Sequence, residues 1–155
     1  MKFLADRNLG KLVKWLRVLG YDTVSYTNEL NRGFLDYGFR ENRVVLSRRR
    51  DLVERNFMGT LLIIHTDKIE DQIQEVIQKL NLKPDTSSFL TRCLKCNERL
   101  VAVTKESVRD IVPPYVFMTQ DNFYMCTSCG SIYWAGTHRD NIFKTLKMHN
   151  LTDHP

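Results

Sequence analysis

The residues with the clearest chemical potential are the four cysteines, which form two Cys-x-x-Cys pairs. The first pair is Cys93 and Cys96; the second is Cys126 and Cys129, followed directly by Gly130. Two thiolates on one tight turn converge on a single metal ion, and two such turns complete the tetrahedral set that Zn²⁺ prefers. Four thiolates leave no open coordination position, so the spacing predicts a structural Zn²⁺ ion with no catalytic role.

Two other uses of paired cysteines fit this sequence less well. Disulfides need an oxidising compartment, and the N-terminus reaches an acid, Asp6, too early for a signal peptide. A thioredoxin-like redox motif would follow a strand of an α/β domain, and neither pair lies in such a place. No apolar run approaches the roughly 20 residues that span a membrane. We therefore expect an intracellular protein, in the cytoplasm or the nucleus, that has no membrane segment.

Positive charge is concentrated in the first third of the chain. The net charge is +5, and residues 1–55 carry 12 Lys and Arg against 7 Asp and Glu. Basic clustering favours a polyanionic partner, most often a nucleic acid, bound through salt-dependent phosphate contacts. The candidate contacts are one arginine run and one helical stripe: Arg48, Arg49 and Arg50, and Lys11, Lys14 and Arg17. The alternative is that these residues only solvate the surface.

The sequence predicts alternating strands and helices, which position the acidic and basic side chains. The apolar pattern predicts strands at residues 2–5, 21–25, 43–47 and 60–64, and helices at residues 9–19, 29–40, 48–56 and 69–80. This alternation is typical of an α/β fold with a mainly parallel sheet and flanking helices. Ligands of such sheets bind beyond the carboxyl ends of the strands, where Asp6 and the arginine run are expected.

The composition changes to that of a linker near residues 83–88. Short strands and turns then surround the cysteines, and a last helix is predicted over residues 139–150. We therefore predict two domains. The first is an α/β domain over residues 1–84, and the second is a four-cysteine zinc ribbon with a C-terminal helix over residues 91–155.

Six stretches of the chain match one known family in the right order. They are FLADRNLGKL (3–12), WLRVLGYD (15–22), RVVLSR (43–48), RCLKCN (92–97), CTSC (126–129) and YWAGTH (133–138). The chain thus resembles the PIN-like RNase domain with a zinc ribbon that occurs at the C-terminus of Mut-seven-type exoribonucleases and in free-standing prokaryotic proteins. The resemblance implies a PIN-like fold in which carboxylates at the edge of the sheet hold Mg²⁺ or Mn²⁺ and cleave RNA. Asp6 matches the first of those acids, and His138 lies in a matching motif.

The chain departs from the family at the other acids. Where the family has Thr-Arg-Asp after the third strand, this chain has Ser47-Arg48-Arg49, and Asn31 lies near the position of a further acid. A divalent ion held by one carboxylate is weakly bound, and an arginine in the pocket repels it. We therefore hypothesise that Arg49 or a neighbour pairs with Asp6 and fills the metal position.

Three functions follow from these observations. The preferred one is an RNA-binding module, the C-terminal domain of a 3′–5′ exoribonuclease in small-RNA processing, in which the basic residues and His138 contact RNA. The second is an active Mg²⁺- or Mn²⁺-dependent ribonuclease that uses Asp6, Glu29 or Asp36, and Asp51. The third is a protein-docking module that recruits a partner to an RNA-processing complex.

Overall fold

A computed structural model describes residues 1–29 and 32–148. The first half contains a parallel sheet of four strands in the order β2-β1-β3-β4. These strands are β1 (Lys2–Asp6), β2 (Asp22–Tyr26), β3 (Val44–Ser47) and β4 (Leu61–Ile63). The helices that follow β1, β2 and β4 are α1 (Gly10–Val18), α2 (Arg32–Arg40) and α3 (Ile69–Lys79). The α/β prediction is confirmed.

Both faces of the sheet are covered, as its apolar strands require. Because successive side chains of a strand point to opposite faces, Phe3 and Ala5 pack with α1 and α3, whereas Leu4 packs with Phe34 and Leu35 of α2. The strands β1 and β3 are neighbours whose connections leave in opposite directions, towards β2 and towards β4. The crevice at their carboxyl ends is therefore the switch point at which such sheets bind ligands.

The second half contains an antiparallel sheet in the order β5-β6-β7. Its strands are β5 (Leu100–Val103), β6 (Phe123–Cys126) and β7 (Ile132–Trp134), with α4 (Pro114–Thr119) between β5 and β6 and α5 (Thr137–Met148) after β7. Helix α5 returns to the first sheet: Leu146 is buried in the same apolar cluster as Phe3. The hydrophobic core therefore crosses the boundary between the two predicted domains, and that division stays a prediction. None of the described helices is long and apolar enough to cross a membrane.

Two segments differ from the sequence-based prediction. Residues 48–56 do not form an α-helix; Arg49 is extended, and only a short 3-10 turn follows at Arg50–Glu54. Asn56 then adopts a positive φ of 34°, which a helix cannot accommodate. Helix α4 was not predicted, although Pro114 occupies its first turn, a position that suits proline because it needs no N–H donor.

Gly20 marks where the connection between the two sheets passes α1. Its φ is +90°, and a Cβ atom there would lie 2.3 Å from the Ser88 carbonyl oxygen. The Leu90 N–H also donates to the carbonyl oxygen of Val18 at 2.8 Å. Only glycine tolerates both the conformation and the close approach, so the connection is fixed against the end of α1.

Candidate metal centre and nucleic-acid interface

The four cysteine Sγ atoms lie within 4.8 Å of one another. Cys93 and Cys126 are buried, and the Sγ atoms of Cys93 and Cys129 lie 3.7 Å apart. Tetrahedral coordination with Zn–S bonds of about 2.3 Å places sulfur atoms about 3.8 Å apart, so this cluster fits such an ion. Among the side chains that the structure describes, it is the only group of three or more His, Cys, Asp or Glu that could hold a metal.

Two similar turns present these thiols. The Asn97 N–H donates to the Cys93 carbonyl oxygen at 2.9 Å, and the Gly130 N–H donates to that of Cys126 at 2.8 Å. Both residues that follow the second cysteine of their pair are left-handed, with φ of 67° at Asn97 and 74° at Gly130. Glycine and asparagine are the residues that adopt this conformation most readily.

Four thiols this close cannot all ionise unless a cation lies among them. Hydrogen bonding to Ser131 lowers the pKa of Cys129 to about 6, whereas hydrogen bonding to Cys129 raises the pKa of Cys96 to about 12. A coordinated divalent cation would remove this conflict, because metal-bound cysteines are thiolates. The Tyr133 hydroxyl, 3.1 Å from the Cys93 Sγ, would then orient that ligand.

Arg17 joins the first thiol turn to the parallel sheet. Its Nη1 donates to the carbonyl oxygens of Leu94 at 2.8 Å and Lys95 at 3.2 Å, and its Nε donates to that of Thr23 at 3.0 Å. The residue is only 7% exposed. The prediction that Arg17 belongs to an RNA-contacting stripe with Lys11 and Lys14 is therefore corrected: its guanidinium is occupied inside the protein.

The Asn97 side chain makes a second connection between the thiol turn and the sheet. Its Oδ1 accepts from the Thr23 N–H at 2.9 Å, and its Nδ2 donates to Asp22 Oδ1 at 2.7 Å. Burial alone would raise the pKa of Asp22, but the hydrogen bonds from Arg43 and Asn97 hold it below its ordinary value. Sequence reasoning missed Asn97, although its place after a Cys-x-x-Cys pair matches that of Gly130.

At the other end of the sheet, Asp6 occupies the switch-point crevice. The residue is fully buried, and hydrogen bonds from its own loop and from β3 hold its carboxylate. Oδ1 accepts from the Asn8 N–H at 2.8 Å, and Oδ2 accepts from the Ser47 hydroxyl at 2.7 Å and from the Arg48 N–H at 3.1 Å. The carboxylate therefore begins the turn into α1 and ties β1 to β3.

A sequence model of the Mut7-C RNAse domain matches residues 1–146. The chain belongs to that family. No curated protein and no solved structure gave a match. Membership supports a nuclease-like module with an RNA-related role. Cleavage by this Mut7-C domain would require catalytic acids at the carboxyl edge of its sheet.

Among the described residues, the other acids proposed for this Mut7-C domain form no metal-competent group of three with Asp6. Asp51 is half exposed and accepts two hydrogen bonds from Arg49, at 2.6 and 3.0 Å. Asp36 lies on the surface of α2, 3.9 Å from Arg32. Glu29 is exposed. Asn31 lies outside the described residues.

Arg49 interacts with Asp6 electrostatically, and the residues just before Arg49 donate hydrogen bonds to Asp6. Hydrogen bonding to Asp51 raises the pKa of Arg49, and the charge of Asp6 contributes in the same direction. The hydrogen bonds from this segment to the Asp6 carboxylate come from the Ser47 hydroxyl and the Arg48 N–H. The Arg49 guanidinium is bound to Asp51, and no ion pair to Asp6 occurs among the described residues. The prediction that a charged arginine pairs with Asp6 and fills the metal position is therefore wrong, because neutral donors hold this carboxylate.

The remaining predicted RNA contacts lie around the carboxyl edge. Lys11, Lys14, Arg48 and Arg50 are exposed. Lys11, Arg48 and Lys68 line a cleft of about 500 Å³ between the first turns of α1 and α3. Two acids, Asp67 and Glu70, also line it, and Asp67 is ion-paired to Arg48. His138 lies in α5, and its side chain is outside the part of the chain that the structure describes.

Glu75 holds the loop that brings Asp67 and Lys68 to this cleft. Its Oε2 accepts from the N–H of His65 at 3.1 Å and from the Thr66 hydroxyl at 3.1 Å, and its Oε1 lies 2.9 Å from the Lys79 ammonium. The His65 ring also contacts Oε1, with its Nδ1 3.0 Å away. Burial alone would raise the pKa of Glu75, but the His65 ring and these other partners outweigh it and lower the pKa to about 2. The loop is therefore fixed by an ionised, largely buried carboxylate.

Proposed function

We propose that this Mut7-C domain binds RNA at the carboxyl edge of its sheet without cleaving it there, and that a structural zinc ion holds its ribbon. The observation that carries the proposal is the Asp6 carboxylate. It is fully buried, and three donors already hold it. Within the described ranges, no acidic group of three or more members lies close enough together to bind a metal.

The chemistry of the expected metals explains why this arrangement disfavours cleavage. Mg²⁺ and Mn²⁺ are bound by several oxygen ligands, which offset the loss of their water shell. Two-metal nucleases further need carboxylates that hold both ions around the scissile phosphate. Here, the segment after β3 carries three consecutive arginines close to the single buried acid Asp6. Arg48 and Arg49 are ion-paired at the surface with Asp67 and Asp51. Such exposed pairs are weak, so a phosphate can compete for these guanidinium groups, whereas a divalent cation finds no set of acids.

The arginine run suits phosphate binding. Guanidinium groups present several N–H donors in one plane and can bind a phosphate through two hydrogen bonds. Arg48 and Arg50 are exposed at the carboxyl edge, and Lys11 and Lys68 add two ammonium groups beside Arg48. Contacts of this kind give affinity that depends on salt and little on sequence.

We assign the wider role as the C-terminal domain of a 3′–5′ exoribonuclease in small-RNA processing, acting in the cytoplasm or the nucleus. In that role the domain holds RNA while another domain cleaves it. Zinc is the proposed metal because four thiolates in tetrahedral geometry select zinc or an iron–sulfur cluster, and here the thiols lie at the spacing of a single ion.

The proposal is tested by measuring the affinity for a fluorescein-labelled single-stranded RNA at several salt concentrations. Replacing Arg48, Arg49 and Arg50 by alanine should weaken binding and reduce the slope of log affinity against log salt by about 2, since each phosphate contact on a single strand contributes about 0.7. The matched control replaces Arg40, Arg109 and Lys144, which are exposed elsewhere, and removes the same charge. Equal losses in both triple variants, or no RNA binding by the wild type, would refute the proposal.

A further inference from the structure

Two clefts flank the connection between the parallel sheet and the ribbon. One, of about 340 Å³, contains Lys2, Lys83, Arg92 and Arg99; the other, of about 270 Å³, contains Phe89, Tyr124, Tyr133 and Trp134. We propose that together they form a groove for single-stranded RNA, which places a phosphate in the basic cleft and an unpaired base in the aromatic cleft. This inference rests on the proposed RNA binding and adds a second contact surface to it.

The groove lies at the opposite end of the parallel sheet from Asp6. The basic cleft is lined by Lys2 and Asp22, which are paired at the first positions of β1 and β2, whereas Asp6 is the last residue of β1. RNA bound at this end would therefore not compete with RNA bound at the carboxyl edge. The two surfaces can be tested by separate variants.

The basic cleft has an excess of positive charge that its own acids do not balance. Arg92 and Arg99 face each other in an antiparallel bridge, an arrangement in which like charges repel. Arg92 is fixed by donating to the carbonyl oxygens of Gly20 at 3.1 Å and Asn97 at 2.8 Å. The charge of Asp22 also acts on Arg92, but Asp22 is itself paired with Arg43. An anion between the two guanidinium groups would relieve the repulsion.

The two acids of this cleft already have partners. Asp22 is bound by Arg43 at 2.7 Å and by Asn97. The Asp85 carboxylate accepts from the N–H and the hydroxyl of Ser87, at 2.9 and 2.6 Å. Arg43 balances the charge of Asp22, whereas Asp85 keeps its charge because its partner is neutral. The two lysines and two arginines of the cleft still outnumber its acids, so the cleft prefers an anion.

The aromatic cleft offers flat surfaces with polar groups beside them. Tyr124 and Tyr133 are cross-strand neighbours on β6 and β7, and Tyr124 is 39% exposed. The Tyr133 ring is fixed because its hydroxyl lies 3.1 Å from the Cys93 Sγ and accepts from the Leu94 N–H. The hydroxyl groups of Thr86, Ser87 and Thr91 also line this cleft. Such rings stack on any base, and hydroxyl groups can bind its edge.

The two clefts share one wall, which the bridged residues Arg92 and Arg99 form because successive side chains of extended chain point to opposite sides. Ser88, Arg92 and Arg99 line the basic cleft, and their chain neighbours Phe89, Thr91 and Leu100 line the aromatic one. A strand of RNA that crosses the connection can therefore reach both. An unpaired strand can turn a base into the aromatic cleft without breaking a base pair, whereas a duplex must unpair it, so the geometry favours single-stranded over duplex RNA.

The test compares a labelled single-stranded RNA with its duplex, using Arg99→Glu and Tyr124→Ala. Arg99 is exposed and Tyr124 partly so, and zinc content and melting temperature verify that both variants fold. Each should weaken single-strand binding by about fivefold or more, while the controls Arg109→Glu and Tyr115→Ala, both at exposed positions, change it less than twofold. Duplex binding should be weaker than single-strand binding in the wild type.

The outcomes separate this groove from the proposed function. If wild-type protein binds RNA and only the Arg48, Arg49 and Arg50 variant weakens it, the groove is refuted and the proposed function stands. Equal binding of duplex and single strand would also refute the groove. If the wild type binds neither RNA, the proposed function itself fails.

Discussion

Arg17 on α1 donates a hydrogen bond to the carbonyl oxygen of Leu94, 2.8 Å away inside the first Cys-x-x-Cys turn. The same guanidinium reaches the Thr23 carbonyl oxygen on β2. A buried cation thus connects a helix and a strand of the parallel sheet to the thiol cluster. The metal centre and the nuclease-like sheet are therefore expected to depend on each other for stability.

Replacing Arg17 by methionine should lower the free energy of unfolding by about 2–3 kcal/mol, because buried carbonyl oxygens lose a charged donor. Lysine should restore little of this loss, since an ammonium cannot reproduce the planar set of donors. The measurement is urea denaturation of the zinc-loaded protein. Lys14→Met is the control, because Lys14 is exposed on the same helix. A loss in Arg17→Met no larger than in the control would contradict this role.

The thiol cluster should bind one zinc ion per chain, and its removal should unfold the ribbon. Zinc coordination by such sites is worth on the order of 10 kcal/mol, so Cys93→Ser should lose most of its zinc and its cooperative unfolding transition. Atomic emission measures the metal, and circular dichroism with a chelator follows the structure. Ser128→Ala, which changes a residue of the second turn without removing a thiol, should keep its zinc. A Cys93→Ser protein that retains one tightly bound zinc would contradict the assignment.

Glu75 should make the protein more sensitive to acid. Its pKa is about 2 in the folded protein against an ordinary value of 4.5, so its stabilisation is fully present above about pH 4.5 and is lost as the pH falls towards 2. The difference corresponds to at most about 3 kcal/mol. The destabilisation by Glu75→Gln should therefore be largest near neutral pH and should shrink in acid.

Urea denaturation at several pH values measures this difference. Asp71→Asn is the control, because Asp71 is exposed on the same helix, and its small effect should not follow the titration of Glu75. A Glu75→Gln effect that is constant from pH 7 to pH 3 would contradict the role of this carboxylate.

Sequence patterns correctly predicted those helices and strands whose formation depends on residues close together in the chain. The periodic spacing of apolar residues predicted β1, β3, β4, α1 and α3, because each of these elements buries a regular stripe or a short run of apolar side chains. Residues 48–56 have a helical composition, but the Arg48 N–H and the Ser47 hydroxyl bind Asp6 instead. Arg49 is therefore extended, and only a 3-10 turn follows at Arg50–Glu54. That competition depends on the pairing of β1 with β3, which the local pattern does not contain.

In the candidate site, too, the features formed by residues close in the chain were predicted, and those formed by distant residues were not. Cysteine spacing was sufficient to predict the thiol cluster, since all four ligands lie on two short turns. The sequence pattern places Arg17 in an exposed stripe because it follows Lys11 and Lys14 at every third position, yet it also lies four residues after the buried Val13 and so shares that face of α1. Two of its partners, the carbonyl oxygens of Leu94 and Lys95, are 77 and 78 residues away in the chain. Only the folded structure brings these groups to Arg17.

In the function that we propose, Asp6 supports the structure of an RNA-binding edge and does not hold a catalytic metal. The most direct test incubates an end-labelled RNA with the zinc-loaded protein in the presence of Mn²⁺ and follows both binding and length of the RNA. We expect the wild type to leave the bound RNA intact at every Mn²⁺ concentration. Asp6→Asn should change the stability of the protein but not the length of the RNA. Mn²⁺-dependent cleavage by the wild type that is lost in a folded Asp6→Asn variant would contradict it.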